Sequence, residues 1–158
     1  MAFALDLIAA WPGARWLQQS GVAYLFVNAA HILGLALLVG AVFTLDFLIL
    51  GRMGDAALLP ALAARLSRTA GCGLVLALVT GVWLFSVRPH DYLGNIAFLC
   101  KLALLLIALT NVVWQHRSAG WVRMVAGHGI APAVRVRALF SLLLWCAVLL
   151  AGRWIGFL

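Results

Sequence analysis

Charge is what this chain has least of. Only 9% of its 158 residues are Asp, Glu, Lys or Arg, and just four of those are acidic. The chain offers no paired carboxylates, no phosphate-binding glycine loop and no activated nucleophile, so no enzyme class is indicated. Cysteine is scarce too. Cys72, Cys100 and Cys146 have neither metal-ligand nor redox-motif spacing and fall inside apolar segments, where they read as small buried hydrophobes. Met1, Met53 and Met124 do not cluster with histidine, and no methionine or carboxylate pathway crosses the chain, which speaks against a copper or small-solute transporter. Residues 1–20 lack the basic n-region and clean cleavage site of a signal peptide, and Asp6 interrupts their apolar run. There is no internal repeat and no low-complexity tract.

What is abundant is hydrocarbon. Two-thirds of the residues are hydrophobic and the mean hydropathy is strongly positive. A soluble domain of this length could not hide so much apolar surface, so the solvent is a lipid bilayer. The pattern predicts an all-α membrane protein: a single domain, 1–158, forming a four-transmembrane-helix bundle. Its spans fall at about residues 21–50, 70–87, 95–114 and 138–158. The first is about 45 Å long if wholly helical, longer than the ~30 Å hydrocarbon core, and must tilt or protrude. Residues 1–20, with Trp11, Arg15 and Trp16, read as a short interfacial helix leading into it. The net charge of +7 lies mostly between the spans, as membrane topology requires, so nucleic acid is not a partner. One side carries Arg52, Arg65, Arg68, Arg117, Arg123, Arg135 and Arg137, the other Arg15, Arg88 and Arg153. The positive-inside rule then puts both termini on the outer, periplasmic side.

Depth groups the polar residues. His31 lies roughly 9–15 Å inside the outer boundary, Lys101 about 9 Å and Arg153 about 7.5 Å, at 1.5 Å per helical residue. Thr80 and Gly81 fall near the same level. An ionisable side chain inside a span is costly and is by default a candidate functional residue. This layer holds two cations and a histidine with no carboxylate, so an anionic group would suit it: a haem propionate, a quinone oxygen, a substrate carboxylate or a lipid phosphate. The alternative for Lys101 and Arg153 is snorkelling toward the interface. Two roles are open to His31: a helix-gluing histidine satisfied by Asn28 or Thr80, or a metal (haem iron) ligand or proton carrier. His90 is the other histidine on that side and hence the candidate second axial ligand; His116 and His128 fall on the inner side.

The inner half has its own polar set, Thr44, Asp46, Thr110, Asn111 and Ser141. Asp46 is expected in a structural ion pair with Arg52, Arg68 or Arg137. Gly34 and Gly40, with Ala30 and Ala36, and Gly71 with Gly73, are expected to permit close helix approach. The connection 117–137, with Trp121 and Met124, reads as a segment lying along the inner surface, ended by Pro132.

Several runs carry a resemblance. Trp16-Leu-Gln-Gln-Ser20, His31 through Gly40, Leu45-Asp-Phe-Leu-Ile-Leu-Gly51, Thr80-Gly-Val-Trp-Leu-Phe85, Asn95 through Lys101, Ser141 through Trp145 and Ala151-Gly-Arg-Trp154 resemble a bacterial integral-membrane family of unknown function. The resemblance covers nearly the whole chain and implies a four-helix protein of the bacterial inner membrane, with no assigned activity. Members of that family usually carry arginine where this chain has Phe47. More loosely, His31 early in the first span and Lys101 in the third are similar to the copper-resistance D domain and the HemJ-type protoporphyrinogen oxidases, which implies a haem or tetrapyrrole ligand. The rest of the HemJ-type signature is not evident.

Together these readings favour a small inner-membrane redox protein or subunit. It would bind b-type haem or quinone in the outer half, through His31 and Lys101, with Arg153, His90, Asn28 and Thr80 around them. The rival is a non-catalytic accessory or assembly subunit, packed in a homo-oligomer or a larger membrane complex.

Overall fold

The computed structural model describes residues 2–51 and 58–157. Four of its helices are long and apolar enough to cross a membrane: α3 (Gly21–Ile49), α4 (Leu59–Phe85), α6 (Ile96–Arg117) and α8 (Pro132–Trp154), the last continued by a 3-10 turn, Ile155–Phe157. Two short helices, α1 (Ala2–Ala10) and α2 (Pro12–Gln19), precede the bundle. The single turns α5 (Pro89–Gly94) and α7 (Ala119–Val125) close its two ends. The expected architecture is observed: an all-α, four-span bundle.

Local chemistry sets the boundaries. Ser20 caps α3, its Oγ accepting from the Ala23 N–H at 3.2 Å. Asn95 caps α6 by accepting from the N–H groups of Ala97 (2.9 Å) and Phe98 (3.3 Å). Ser118 caps α7 through the Trp121 N–H at 3.2 Å. Prolines open α2, α4, α5 and α8, where a missing N–H costs nothing. After α3 the chain leaves the helix through Gly51 at φ +69°, a left-handed conformation that favours glycine.

Several sequence expectations need correction. The N-terminal segment is two helices, because Pro12 ends one and starts the next. The second span begins at Leu59, well before residue 70: Arg65 and Arg68 ride on α4 rather than in a loop. The fourth begins at Pro132 rather than 138, with Val134 and Ala138 buried. The 117–137 connection, at the end of the bundle away from the termini (called inner below), buries one face against the bundle and leaves Val122 and Arg123 exposed. Trp121 and Met124 of α7 insert between α3, α4 and α8, joining Leu45, Ile49, Leu59 and Val134 in the inner-end core. The three cysteines are exposed on the bundle's outside, not buried.

The tightest contact is the crossing of α3 and α4. A Cβ on Gly34 would stand 2.7 Å from Ala77 N and 2.9 Å from Gly73 O; one on Gly73 would stand 2.5 Å from Leu38 N. Only glycine permits backbones this close, and in a bilayer such packing replaces the hydrophobic drive between helices. Gly40 and Gly71, expected to act likewise, face open space. The mid-bundle core gathers Leu38, Ala108, Leu144, Trp145 and Val148.

The end of the bundle that holds both termini, called outer below, is closed by tryptophan. Trp11 and Trp16 pack on Trp83 with ring centroids 6.0 and 5.9 Å apart. Trp11 Nε1 donates to Ser86 Oγ, and Trp83 Nε1 to the Gly13 carbonyl, each at 3.0 Å. Amphipathic indoles suit the membrane–water boundary.

Candidate functional site

The one-residue-per-helix layer expected in the outer half is partly assembled. His31 Nδ1 lies 3.1 Å from Thr80 Oγ1 across the α3–α4 crossing. Thr80 gives its single hydroxyl hydrogen to the Leu76 carbonyl, 2.5 Å away, so its oxygen can only accept from His31. That fixes the imidazole as the Nδ1–H tautomer and leaves Nε2 with a free lone pair. Gly81 supplies the room: a Cβ there would stand 3.0 Å from His31 Cε1. Lys101 lies over Gly152, where a Cβ would meet its Cε at 3.5 Å and Nζ at 3.6 Å. His31 and Lys101 are both half-buried.

Three other expected members stand apart. Asn28 is exposed on α3, and Thr80, not Asn28, satisfies His31. His90, on α5, directs Nε2 at Asp6 Oδ1, 2.9 Å away, in an exposed pair that ties α1 to α5. Arg153 is exposed, its guanidinium 4.8 Å from the centroid of the Phe157 ring. Nearby, burial raises the Tyr92 phenol above its ordinary pKa, with Tyr24 adding to the shift.

The inner half holds what sequence reasoning treated as scaffolding. A cavity of about 420 Å³ lies between α3, α4, α6 and α8, lined mainly by carbon. On its wall are Asp46, Asn111, Ser141 and Trp145. Asp46 is 6% exposed and hydrogen-bonds Ser141 through one oxygen, while its Oδ2 has no partner among the described residues. Among the described residues no ion pair to Asp46, from Arg68 or Arg137, is observed. Arg137 is engaged elsewhere, Nε donating to Gln115 Oε1 at 2.7 Å and Nη2 to Ser118 Oγ at 3.0 Å, and Arg52 lies outside the described residues. Asn111 Nδ2 donates to the Arg137 carbonyl at 3.2 Å, which orients the amide and leaves Oδ1 unpartnered. Trp145, 1% exposed, has an unpartnered indole N–H. His116 sits at the mouth with both nitrogens engaged, Nδ1 with the Val112 carbonyl (2.9 Å) and Nε2 with Ser67 Oγ (3.1 Å).

A family of unknown function, DUF6644, matches residues 13–158. The chain belongs to that family. No curated protein and no solved structure matches it. The expected membership of an uncharacterised family is thus found, while the looser likeness to the copper-resistance D domain and the HemJ-type oxidases gains nothing from these comparisons. Sequence reasoning brought Thr80 near His31, as found, and missed the inner cavity. Its signal was present, since Asp46, Asn111, Ser141 and Trp145 are polar or hydrogen-bonding groups in the inner halves of three spans. Which of them would lack partners depends on helix rotation.

Proposed function

We propose that the protein is a small redox subunit of the bacterial inner membrane, with both termini outward, in which His31 ligates a haem-type group in the outer half. The observation that carries this reading is the His31 ring itself: Nδ1–H anchored on Thr80, Nε2 free, in a membrane span. Metal-ligating histidines characteristically donate their other N–H in this way, which fixes ring orientation and raises the basicity of the ligating nitrogen. Lys101 would supply a cation for a propionate, and Gly81 and Gly152 make room for the His31 ring and the Lys101 side chain. The residues present would therefore offer such a group one imidazole nitrogen and one cation for a carboxylate. When bound, the group would supply one-electron chemistry; the chain holds it, orients it and neutralises its charge.

His90 is engaged with Asp6, and the ring of His31 is half-exposed. These observations favour a subunit whose site is completed by a second chain over a self-contained cytochrome. The arginine asymmetry between the bundle ends supports the orientation.

The test is the absorption spectrum of protein purified in mild detergent from haem-replete cells. A Soret band with a dithionite-induced α-band is expected, lost in His31→Gly and restored by added imidazole. Folded protein without any such band, alone or with the chains that co-purify, refutes the haem reading and leaves the accessory-subunit one.

A further inference from the structure

We infer that the inner cavity is a second binding site, for a lipid-soluble ring bearing hydroxyl groups, of the hydroquinone class. The inference does not rest on haem at His31. Asp46 lies fifteen residues beyond His31, about 22 Å further along α3.

The walls define the ligand. Leu38, Val42, Leu74 and Leu109 line most of the cavity with carbon, so the occupant is largely apolar. At about 420 Å³ the cavity falls within the ordinary range for small-molecule sites, ~300–1,000 Å³. Against that lining stand three buried polar atoms without partners among the described residues, Asp46 Oδ2, Asn111 Oδ1 and Trp145 Nε1. Native interiors rarely leave such groups unsatisfied, and several on one cavity wall point to an unrecorded partner.

Their chemistry narrows the class further. Asn111 Oδ1 accepts only, and Trp145 Nε1 donates only. Asp46 Oδ2 accepts when ionised and can donate when protonated. A hydroxyl serves all three, because it both donates and accepts; a carbonyl cannot serve Asn111, nor an ionised Asp46. The site therefore prefers the hydroxyl-bearing, reduced form of a quinone over its dicarbonyl form.

Access from the bilayer is available. A shallower groove of about 310 Å³, bounded by Leu106, Trp114 and Phe140 between α6 and α8, reaches the same Asn111 from the lipid-facing side. A hydrophobic molecule need not cross water to enter.

The experiment is calorimetric titration of the full chain in lipid nanodiscs with decylubiquinol and, separately, decylubiquinone, using empty nanodiscs as reference. Saturable binding is expected, at least tenfold tighter for decylubiquinol. Asp46→Asn and Trp145→Phe should each weaken it roughly 5- to 100-fold, the range for stranding one buried hydrogen-bonding group. His31→Gly should leave it unchanged, which separates this site from the haem reading. Because Trp145→Phe could disturb packing, Ala70→Phe serves as an independent plug of the cavity: it should abolish binding while the melting temperature holds. Heat no greater than that of empty nanodiscs overturns the inference. So does equal affinity for both redox forms, or binding indifferent to Asp46→Asn and Ala70→Phe. If the cavity holds only water, Asp46→Leu will raise the melting temperature and no decylubiquinol will bind, which also overturns it.

Discussion

Gly73→Ala is the substitution that tests the packing argument most directly. The added methyl would stand 2.5 Å from Leu38 N, 2.7 Å from Gly34 O and 3.0 Å from Leu37 Cβ. Comfortable contacts between heavy atoms need ~3.5–4.0 Å. The first two neighbours are helix backbone and cannot rotate away, so α3 and α4 must part locally by about 1 Å. Overpacking of this kind costs ~1–3 kcal/mol, and rigid backbone on both sides puts Gly73→Ala near ~2 kcal/mol. At 1.4 kcal/mol per decade that is roughly thirtyfold in the folding equilibrium. Gly34→Ala presses on the same crossing from the other helix. Once the helices have parted, the second methyl costs less, so the double variant should fall short of the sum of the singles. Because the His31–Thr80 bond spans the same interface at 3.1 Å, it should lengthen or break in each variant. The assay is reversible unfolding in mixed detergent micelles followed by tryptophan fluorescence, with Gly71→Ala as control because no atom lies within 4 Å of its Cβ position. Wild-type stability in Gly73→Ala, or an equal loss in Gly71→Ala, would refute the reasoning.

Three further outcomes are expected. Thr80→Val keeps the shape but removes the acceptor for His31 Nδ1, and should cost ~1–3 kcal/mol in the same unfolding assay; Thr80→Ser should restore most of it. Gln115→Leu removes the acceptor for Arg137 Nε and the donor to the Val134 carbonyl at 3.0 Å; it should destabilise by ~2–3 kcal/mol, and a neutral result would mean water replaces both bonds. Burial raises the Tyr92 pKa in the folded state, so the folded protein retains that proton longer than the unfolded chain does. Its contribution to stability is therefore fully present below the unfolded value of ~10 and is lost as pH rises through the higher folded value. Tyr92→Phe should flatten the stability loss above pH 10, and an unchanged alkaline limb in melting curves would contradict this.

Span number and class were legible because hydropathy alone decides them: four apolar runs can satisfy their backbones in lipid only as helices. Depth was legible for the same reason, since rise per residue is fixed, and it brought His31, Thr80 and Lys101 to one level before any coordinates. Rotation was not. Gly34 and Gly40 read alike as small residues on a helix, yet one meets Gly73 and the other open space. Cys72, Cys100 and Cys146 read as buried because apolar sequence looks the same whether it faces protein or lipid; they face outward. The start of the second span was misplaced because Arg65 and Arg68, which read as loop, are exposed on the first turns of α4. Of the partners expected for Asp46, Arg137 is held by Gln115 and Ser118, which no spacing along the chain could reveal.

The two polar layers differ in how their costs are met, and that difference constrains what each can do. In the outer layer the buried hydroxyl of Thr80 has both a donor and an acceptor, so His31 is held rigidly with one nitrogen to spare. A ring anchored in this way, on a hydroxyl whose own hydrogen is committed to the Leu76 carbonyl, is suited to ligation. In the inner layer the reverse holds: Asp46, Asn111 and Trp145 each keep an atom in reserve around a common space, an arrangement that favours reversible occupancy over rigidity. About 22 Å of helix separates the layers. They also lie on either side of the glycine crossing, which is well packed and transmits little slack. Substitutions at His31 and Asp46 share no partner, so their effects on stability should add to within about 0.5 kcal/mol. A larger coupling would mean that α3 moves as a lever between the two layers.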